Sequence, residues 1–300
     1  MIRILTDSTA DFPASEAAAL GLRVVPLQVN FGDEHYRDGI DLTPEAFFEM
    51  LEQASKLPTT SQPSPELFLN EFEDAKAAGD EVICVLLAGF LSGTVQSAQI
   101  AKAEAEYDGI YIVDSKTATL AEQLLVRRAI QRVQQGFTAP EIVADLEQAR
   151  ENLHLFALVD TLKYLHKGGR LPTAAAIAGG LLGIKPVIGL QNEKLGMADK
   201  ARGLPGAYVA IFKQIDKVGG IDEEWPVCVG YTGKKQGVEP FMRYVTKNMH
   251  LQKPLLFPIG PVIGTHAGPG ACGIAFFCSS GTVNQKTGEA LASPVFLLIS

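Results

Sequence analysis

Six consecutive residues, Val82 to Leu87, carry no charged or strongly polar side chain. A strand with one wet face alternates apolar and polar residues. An unbroken apolar run therefore fits a central strand of a parallel sheet, covered on both faces. Parallel neighbours need crossover connections, and those are usually helices. The first half of the chain supplies such an alternation. Ile2 to Leu5, Leu22 to Val29 and Ile110 to Val113 read as further strands. Between them lie segments with helix punctuation: Pro13 near the start and Gly21 after the end of one, Thr43-Pro44-Glu45 opening another that runs to about Ser55, and Ser64-Pro65-Glu66 opening a third that ends at Gly79. A further helix is expected over Val95 to Glu106, and Thr138-Ala139-Pro140-Glu141 has the form of a capping box. This order predicts an α/β fold with an N-terminal parallel-sheet α/β domain.

The second half reads differently. Strands fit Phe156 to Val159, Val227 to Tyr231, Leu255 to Ile259 and Gly273 to Cys278, and a hairpin fits Lys185 to Leu190 with Met197 to Ala201. Helices fit Asp160 to His166 and the small-residue segment Thr173 to Leu182. This is an α+β pattern. The expected organisation is an N-terminal α/β domain over residues 1–155, a C-terminal α+β domain over 156–278, and a polar, turn-rich tail over 279–300 with no assigned role.

Composition limits the function classes. Net charge is -8 with a sequence pI near 5.2, and broad nucleic-acid binding needs a basic surface that such a chain lacks. No run of about 18 uncharged apolar residues suggests a membrane span, and Met1 to Leu5 is too short for a secretory signal. Cys84, Cys228, Cys272 and Cys278 form no C-x-x-C pair, so buried thiols in a reducing, cytoplasmic setting are expected. No cofactor or metal motif is present. Asp7 and Asp114 stand at strand ends and could suggest a metal, but each is followed by serine before a helix, and capping explains them more cheaply.

Four segments could carry chemistry. Leu91-Ser92-Gly93-Thr94 follows the central strand and precedes a helix, the edge at which open α/β sheets collect ligands. A helix N-terminus suits a carboxylate, and Ser92 and Thr94 could equally be caps. Thr59, Thr60 and Ser61 form a hydroxyl-rich loop between prolines. Ile259 to Gly270 surrounds His266 with six glycines and prolines, a frame able to hold one imidazole in place. Lys163 to Arg170 gathers cations, including Lys167 and Arg170, into either a solvated helix end or a docking patch for an acidic partner. Gly89-Phe90-Leu91-Ser92-Gly93 lacks the glycine spacing of a nucleophile elbow. A serine-dependent acyl hydrolase using Ser92 and His266 therefore stands as the alternative reading, with no third member indicated.

Several ordered motifs together resemble the DegV family, which includes the fatty-acid-binding subunits of bacterial fatty-acid kinase. They are Thr6-Asp7-Ser8-Thr9-Ala10-Asp11, Thr60-Ser61-Gln62-Pro63-Ser64, Leu91-Ser92-Gly93-Thr94 with Gln96-Ser97-Ala98, Val113-Asp114-Ser115, Leu165 to Arg170, Ile184-Lys185-Pro186 and Gly264 to Gly270. The resemblance implies a carrier with a long-chain fatty acid between two domains. It implies that Thr60, Ser92 and His266 gather around the carboxylate, with Ser61 and Arg202 near. It further implies a kinase subunit that phosphorylates the bound carboxylate, a lipid-synthesis enzyme that uses the acyl phosphate, and transient membrane contact. Ile177, Leu181, Leu182 and Ile184 are then either tunnel walls or ordinary core. The tail after Cys278 departs from the family pattern.

Overall fold

The structure is a computed structural model and describes residues 1–171, 183–249, 251 and 253–279. Its strands are β1 (Ile2–Asp7), β2 (Arg23–Val25), β3 (Gln28–Phe31), β4 (Glu34–Arg37), β5 (Thr59–Ser61), β6 (Glu81–Leu86), β7 (Ile110–Asp114), β8 (Leu153–Leu158), β9 (Ile184–Gln191), β10 (Lys194–Arg202), β11 (Cys228–Tyr231), β12 (Leu255–Pro258) and β13 (Cys272–Phe277). Its helices are α1 (Ala14–Leu20), α2 (Pro44–Gln53), α3 (Pro65–Ala78), α4 (Thr94–Ala105), α5 (Thr119–Gln134), α6 (Ala139–Ala149), α7 (Lys163–Lys167), α8 (Gly203–Lys217), α9 (Glu239–Asn248) and α10 (Pro261–Ala267).

The first sheet is parallel in the order β2-β1-β6-β7. The apolar run of β6 is explained by what covers it. Val82, Cys84 and Leu86 face Phe68, Phe72 and Ala75 of α3 and Ala98 and Ala101 of α4, whereas Ile83 and Val85 face α5 and α6. Successive strand residues point to opposite faces, so only an unbroken run satisfies both layers. The second sheet is mixed, in the order β10-β9-β8-β13-β11-β12. Here too β13 is covered twice: Ile274 and Phe276 pack with Tyr208, Ile211 and Phe241 of α8 and α9, and Ala275 and Phe277 join the cluster around α5. Helix α5 thus lies between the two sheets, and the fold runs helices, parallel sheet, helices, mixed sheet, helices. The parallel α/β half and the mixed-sheet α+β half agree with the fold class expected from the sequence.

Three local expectations change. The run Leu22 to Val29 splits at Pro26, which has no N–H to donate. Strand β2 joins the parallel sheet and β3 pairs antiparallel with β4 and β5 in a separate three-stranded sheet. Thr59 to Ser61 is therefore a strand, β5, and not an open loop. The segment around His266 contains helix α10, with Pro261 at its first turn. Gly264 sits inside that helix where any Cβ would come within 2.9 Å of the Phe47 and Phe48 rings, so close packing on α2 requires glycine there. The expected helix Thr173 to Leu182 and the tail beyond Ser279 lie outside the described residues. No helix of the described residues is long and apolar enough to cross a membrane.

Candidate ligand-binding site

A cavity of about 370 Å³ lies between the sheets at the start of α5. Its size is within the roughly 300–1,000 Å³ of small-molecule sites. Leu87, Leu91, Ala118 and Leu120 line it from the first half of the chain, and Leu155, Val159, Leu190 and Ile263 from the second. Its floor has a simple origin in the second sheet. Gly230 is in register with Gly273, Gly273 with Ala157, and Ala157 with Ile188, and all four line the cavity. Two glycines and an alanine in one row across three neighbouring strands leave a trough that larger side chains would fill. An isolated glycine inside a strand often marks such a close approach by a ligand or backbone, so Gly230 and Gly273 are a signal present in the sequence that the motif reading passed over.

Polar groups collect at one end. Thr60 Oγ1 and His266 Nε2 are 2.9 Å apart, which joins β5 to α10 across a gap of two hundred residues in the chain. Ser92 also lines the cavity, and its hydroxyl is 2.9 Å from that of Thr94 at the start of α4. Ser61 and Gln62 line the same end. Gly93 is there because a Cβ would overlap the Gln62 carboxamide, which in turn donates to Ser97 at 3.0 Å; the close approach is to Gln62.

Arg170 belongs to this cavity. Its Nε donates to the Leu91 carbonyl at 3.2 Å and its Nη1 to the Gly168 carbonyl at 2.7 Å, so one guanidinium pins the Ser92 loop to the turn after α7. The sequence places Arg170 in a surface patch because its reach across the fold depends on tertiary contacts. Arg202, by contrast, is exposed at the end of β10, caps α8 and does not line the cavity. Lys167 lies in an adjoining cleft with Lys56 and Lys163, and that cleft shares Thr60, Arg170 and His266 with the cavity. Ile184 opens β9, partly buried and outside the lining, whereas Ile188 on the same strand is in it. Ile177, Leu181 and Leu182 fall outside the described residues.

Burial sets the state of His266. Desolvation, with the charge of Arg170 adding to it, lowers its pKa to about 4. The imidazole is therefore neutral at pH 7. Its Nδ1 is buried without a hydrogen-bond partner among the described residues. A hydrolytic triad needs a third group on that nitrogen to orient the base. Asp114, considered at the sequence level with metals, accepts from the Gly89 and Lys116 N–H groups. No cluster of His, Cys, Asp and Glu suited to a metal occurs among the described residues.

The family model described as "Uncharacterised protein, DegV family" matches residues 1–279. A DegV domain-containing protein of Caldanaerobacter subterraneus is 34% identical over 275 residues, covering 92% of this chain and 98% of that protein. The chain belongs to the DegV family. Two solved structures have a similar fold. One is described as the fatty-acid binding of a DegV family protein from Thermus thermophilus, with 34% identity, a TM-score of 0.84 and coverage of 93% and 99% of the two chains. The other is a stearic acid-binding protein from Eubacterium ventriosum, with 28% identity, a TM-score of 0.84 and coverage of 93% and 98%.

Proposed function

We propose that the protein binds a long-chain fatty acid, with the acyl chain in the trough over Gly230, Gly273 and Ala157 and the carboxylate held by Thr60, Ser92 and His266, Ser61 standing near. The observation that supports this reading is a largely apolar cavity lined by Thr60, Ser92 and His266 from three separate parts of the chain, with Thr60 Oγ1 2.9 Å from His266 Nε2. Each buried methylene contributes about 0.8 kcal/mol, so a chain of about 14 methylenes offers on the order of 11 kcal/mol before association costs. Hydrogen bonds to a charged group add about 1.5–3 kcal/mol each. The trough therefore supplies most of the affinity, and the polar end fixes the position of the head group. In the Nε2-protonated tautomer His266 donates as a neutral group, and a carboxylate oxygen accepting from both Thr60 and His266 would replace the bond between them. Arg170 takes the nearby cationic position in preference to Arg202.

The polar end adjoins the cleft lined by Lys56, Lys163 and Lys167. That placement supports presentation of the carboxylate to a separate kinase subunit, where a carboxylate oxygen accepts the γ-phosphoryl group of ATP and ADP departs. The acyl phosphate would then serve a lipid-synthesis enzyme. The lysines favour an approaching polyanion, and Lys167 is the natural docking residue.

The serine-hydrolase alternative rests on Ser92 and His266 sharing the cavity, and the unpartnered Nδ1 argues against it. Incubation with a long-chain p-nitrophenyl ester separates the two readings. The carrier reading expects no multiple turnover, together with fatty-acid binding that weakens in His266→Ala and Ser92→Ala. Sustained turnover abolished by Ser92→Ala would establish the hydrolase instead.

A further inference from the structure

Close to the cavity wall, four carboxylates are buried together: Asp7 at the end of β1, Asp11 just after it, Asp38 after β4 and Glu122 in α5. Thr9 Oγ1 is 2.5 Å from Asp7 Oδ1 and 2.9 Å from Glu122 Oε2. Thr6 Oγ1 is 2.7 Å from the Val85 carbonyl and 3.3 Å from Glu122 Oε1. Each hydroxyl has one hydrogen to give. Both sets of contacts are satisfied only when a carboxyl group of the cluster carries a proton of its own.

Asp11 has a more particular position. Its Oδ2 accepts from the Thr119 hydroxyl at 2.5 Å, and its Oδ1 accepts from the Gly260 N–H at 2.8 Å. Thr119 lines the cavity and holds a left-handed backbone, with φ of 49°, that a β-branched residue rarely adopts. Gly260 is the residue before α10, the helix whose last turn carries His266. A Cβ at Gly260 would stand 2.7 Å from Asp11 Oδ1 and 3.3 Å from Asp38 Oδ1, so the two acids crowd the same backbone position. Asp38 is 4% exposed, and its Oδ2 has no hydrogen-bond partner among the described residues.

We infer that Asp11, backed by Asp38, is a positioning residue for the head-group site: one carboxyl group ties the cavity residue Thr119 to the start of the helix that presents His266, and the two acids together make that tie sensitive to pH. The inference rests on the head-group reading above. The groups facing the pair are Asp7 from β1, Ser8 and Thr9 from the turn after it, Thr119 and Glu122 from α5, and the N–H groups of Gly39, Gly260 and Val262. The charges that act on Asp11 are those of Asp38 and Asp7, and on Asp38 that of Asp7, all of one sign. Burial raises Asp11 well above its ordinary value and Asp38 to about 7. When Asp38 ionises, an unpaired charge faces Asp11 at the first turn of α10. His266, near 4, stays neutral throughout that window and does not confuse the reading.

The test measures palmitate affinity and the His266 ring NMR signals, assigned with His266→Ala, from about pH 6 to about pH 8.5. The wild type is expected to lose roughly fivefold or more in affinity across that range, with the His266 signals shifting in step. Asp38→Asn, neutral and of the same shape, is expected to abolish both changes. Asp11→Ala is expected to weaken binding at every pH, with recovery in Asp11→Asn, which keeps an oxygen for the Gly260 N–H. Parallel pH profiles in wild type and Asp38→Asn, or His266 signals that do not move, would overturn the inference, as would full affinity in Asp11→Ala. If Asp11→Ala fails to fold, the Asp38→Asn comparison decides alone. If the wild type binds no palmitate at any pH, the head-group reading fails, and the His266 signals still decide whether the acids are coupled to the imidazole.

Discussion

Ala157→Leu should shorten the acyl chain that the protein prefers. Ala157 sits in the small-residue row of the trough, flanked in register by Gly273 and Ile188, and its methyl group faces the cavity. Leucine adds three carbons there. They would displace two or three methylenes of a long ligand from the trough, at about 0.8 kcal/mol each, or about 2 kcal/mol in all. A difference of that size is on the order of thirtyfold in Kd. The added carbons enter existing space and force no overpacking of the core, so the thermal midpoint should hold. Isothermal titration with saturated acids of about ten to eighteen carbons supplies the assay. Decanoate affinity should change little, and palmitate affinity should fall by the amount above. Unchanged palmitate affinity in a folded variant would refute the placement of the chain over this row.

Two further predictions concern proton linkage. Asp38→Asn should raise stability in mild alkali. The carboxyl is pushed from 3.8 to about 7 in the folded chain, so its contribution is fully present below the unfolded value and is lost as pH rises through about 7. That rise corresponds to about 4 kcal/mol as an upper bound, and urea unfolding near pH 8.5 that shows no gain for the variant would contradict it. His266 behaves in the opposite sense: with its pKa lowered to about 4, the unfolded chain binds the proton more readily, and this group's share of the stability falls as pH drops from about 6.5 towards 4. A ring titration near 6.5 by NMR would show that the imidazole is not desolvated.

Much of the architecture was legible because burial on two faces leaves an unmistakable pattern. Val82 to Leu87 and Ile110 to Val113 have no polar residue to spare for water, and the helix starts at Thr43-Pro44 and Ser64-Pro65 appear where their caps announce them. The shared cavity of Thr60, Ser92 and His266 was accessible through the motifs of the family. What local pattern could not show was reach and direction. Arg170 and Arg202 are both arginines near turns, and only the packing of α7 against the Ser92 loop decides which faces the cavity. Helix α10 was hidden by its own glycine and proline content, since Gly264 is tolerated there through contact with Phe47 and Phe48 and not through helix propensity. The trough was hidden because it arises from register: Gly230, Gly273 and Ala157 are far apart in the chain and meet only when β11, β13 and β8 pair.

A crystal structure of the protein with palmitate tests the central claim most directly. The account predicts the carboxylate oxygens within hydrogen-bond distance of Ser92 Oγ, Thr60 Oγ1 and His266 Nε2, with the methylenes lying over Gly273 and Ala157. A ligand bound the other way round, with its carboxylate away from these three donors, or one lying outside the space between the two sheets, would contradict it.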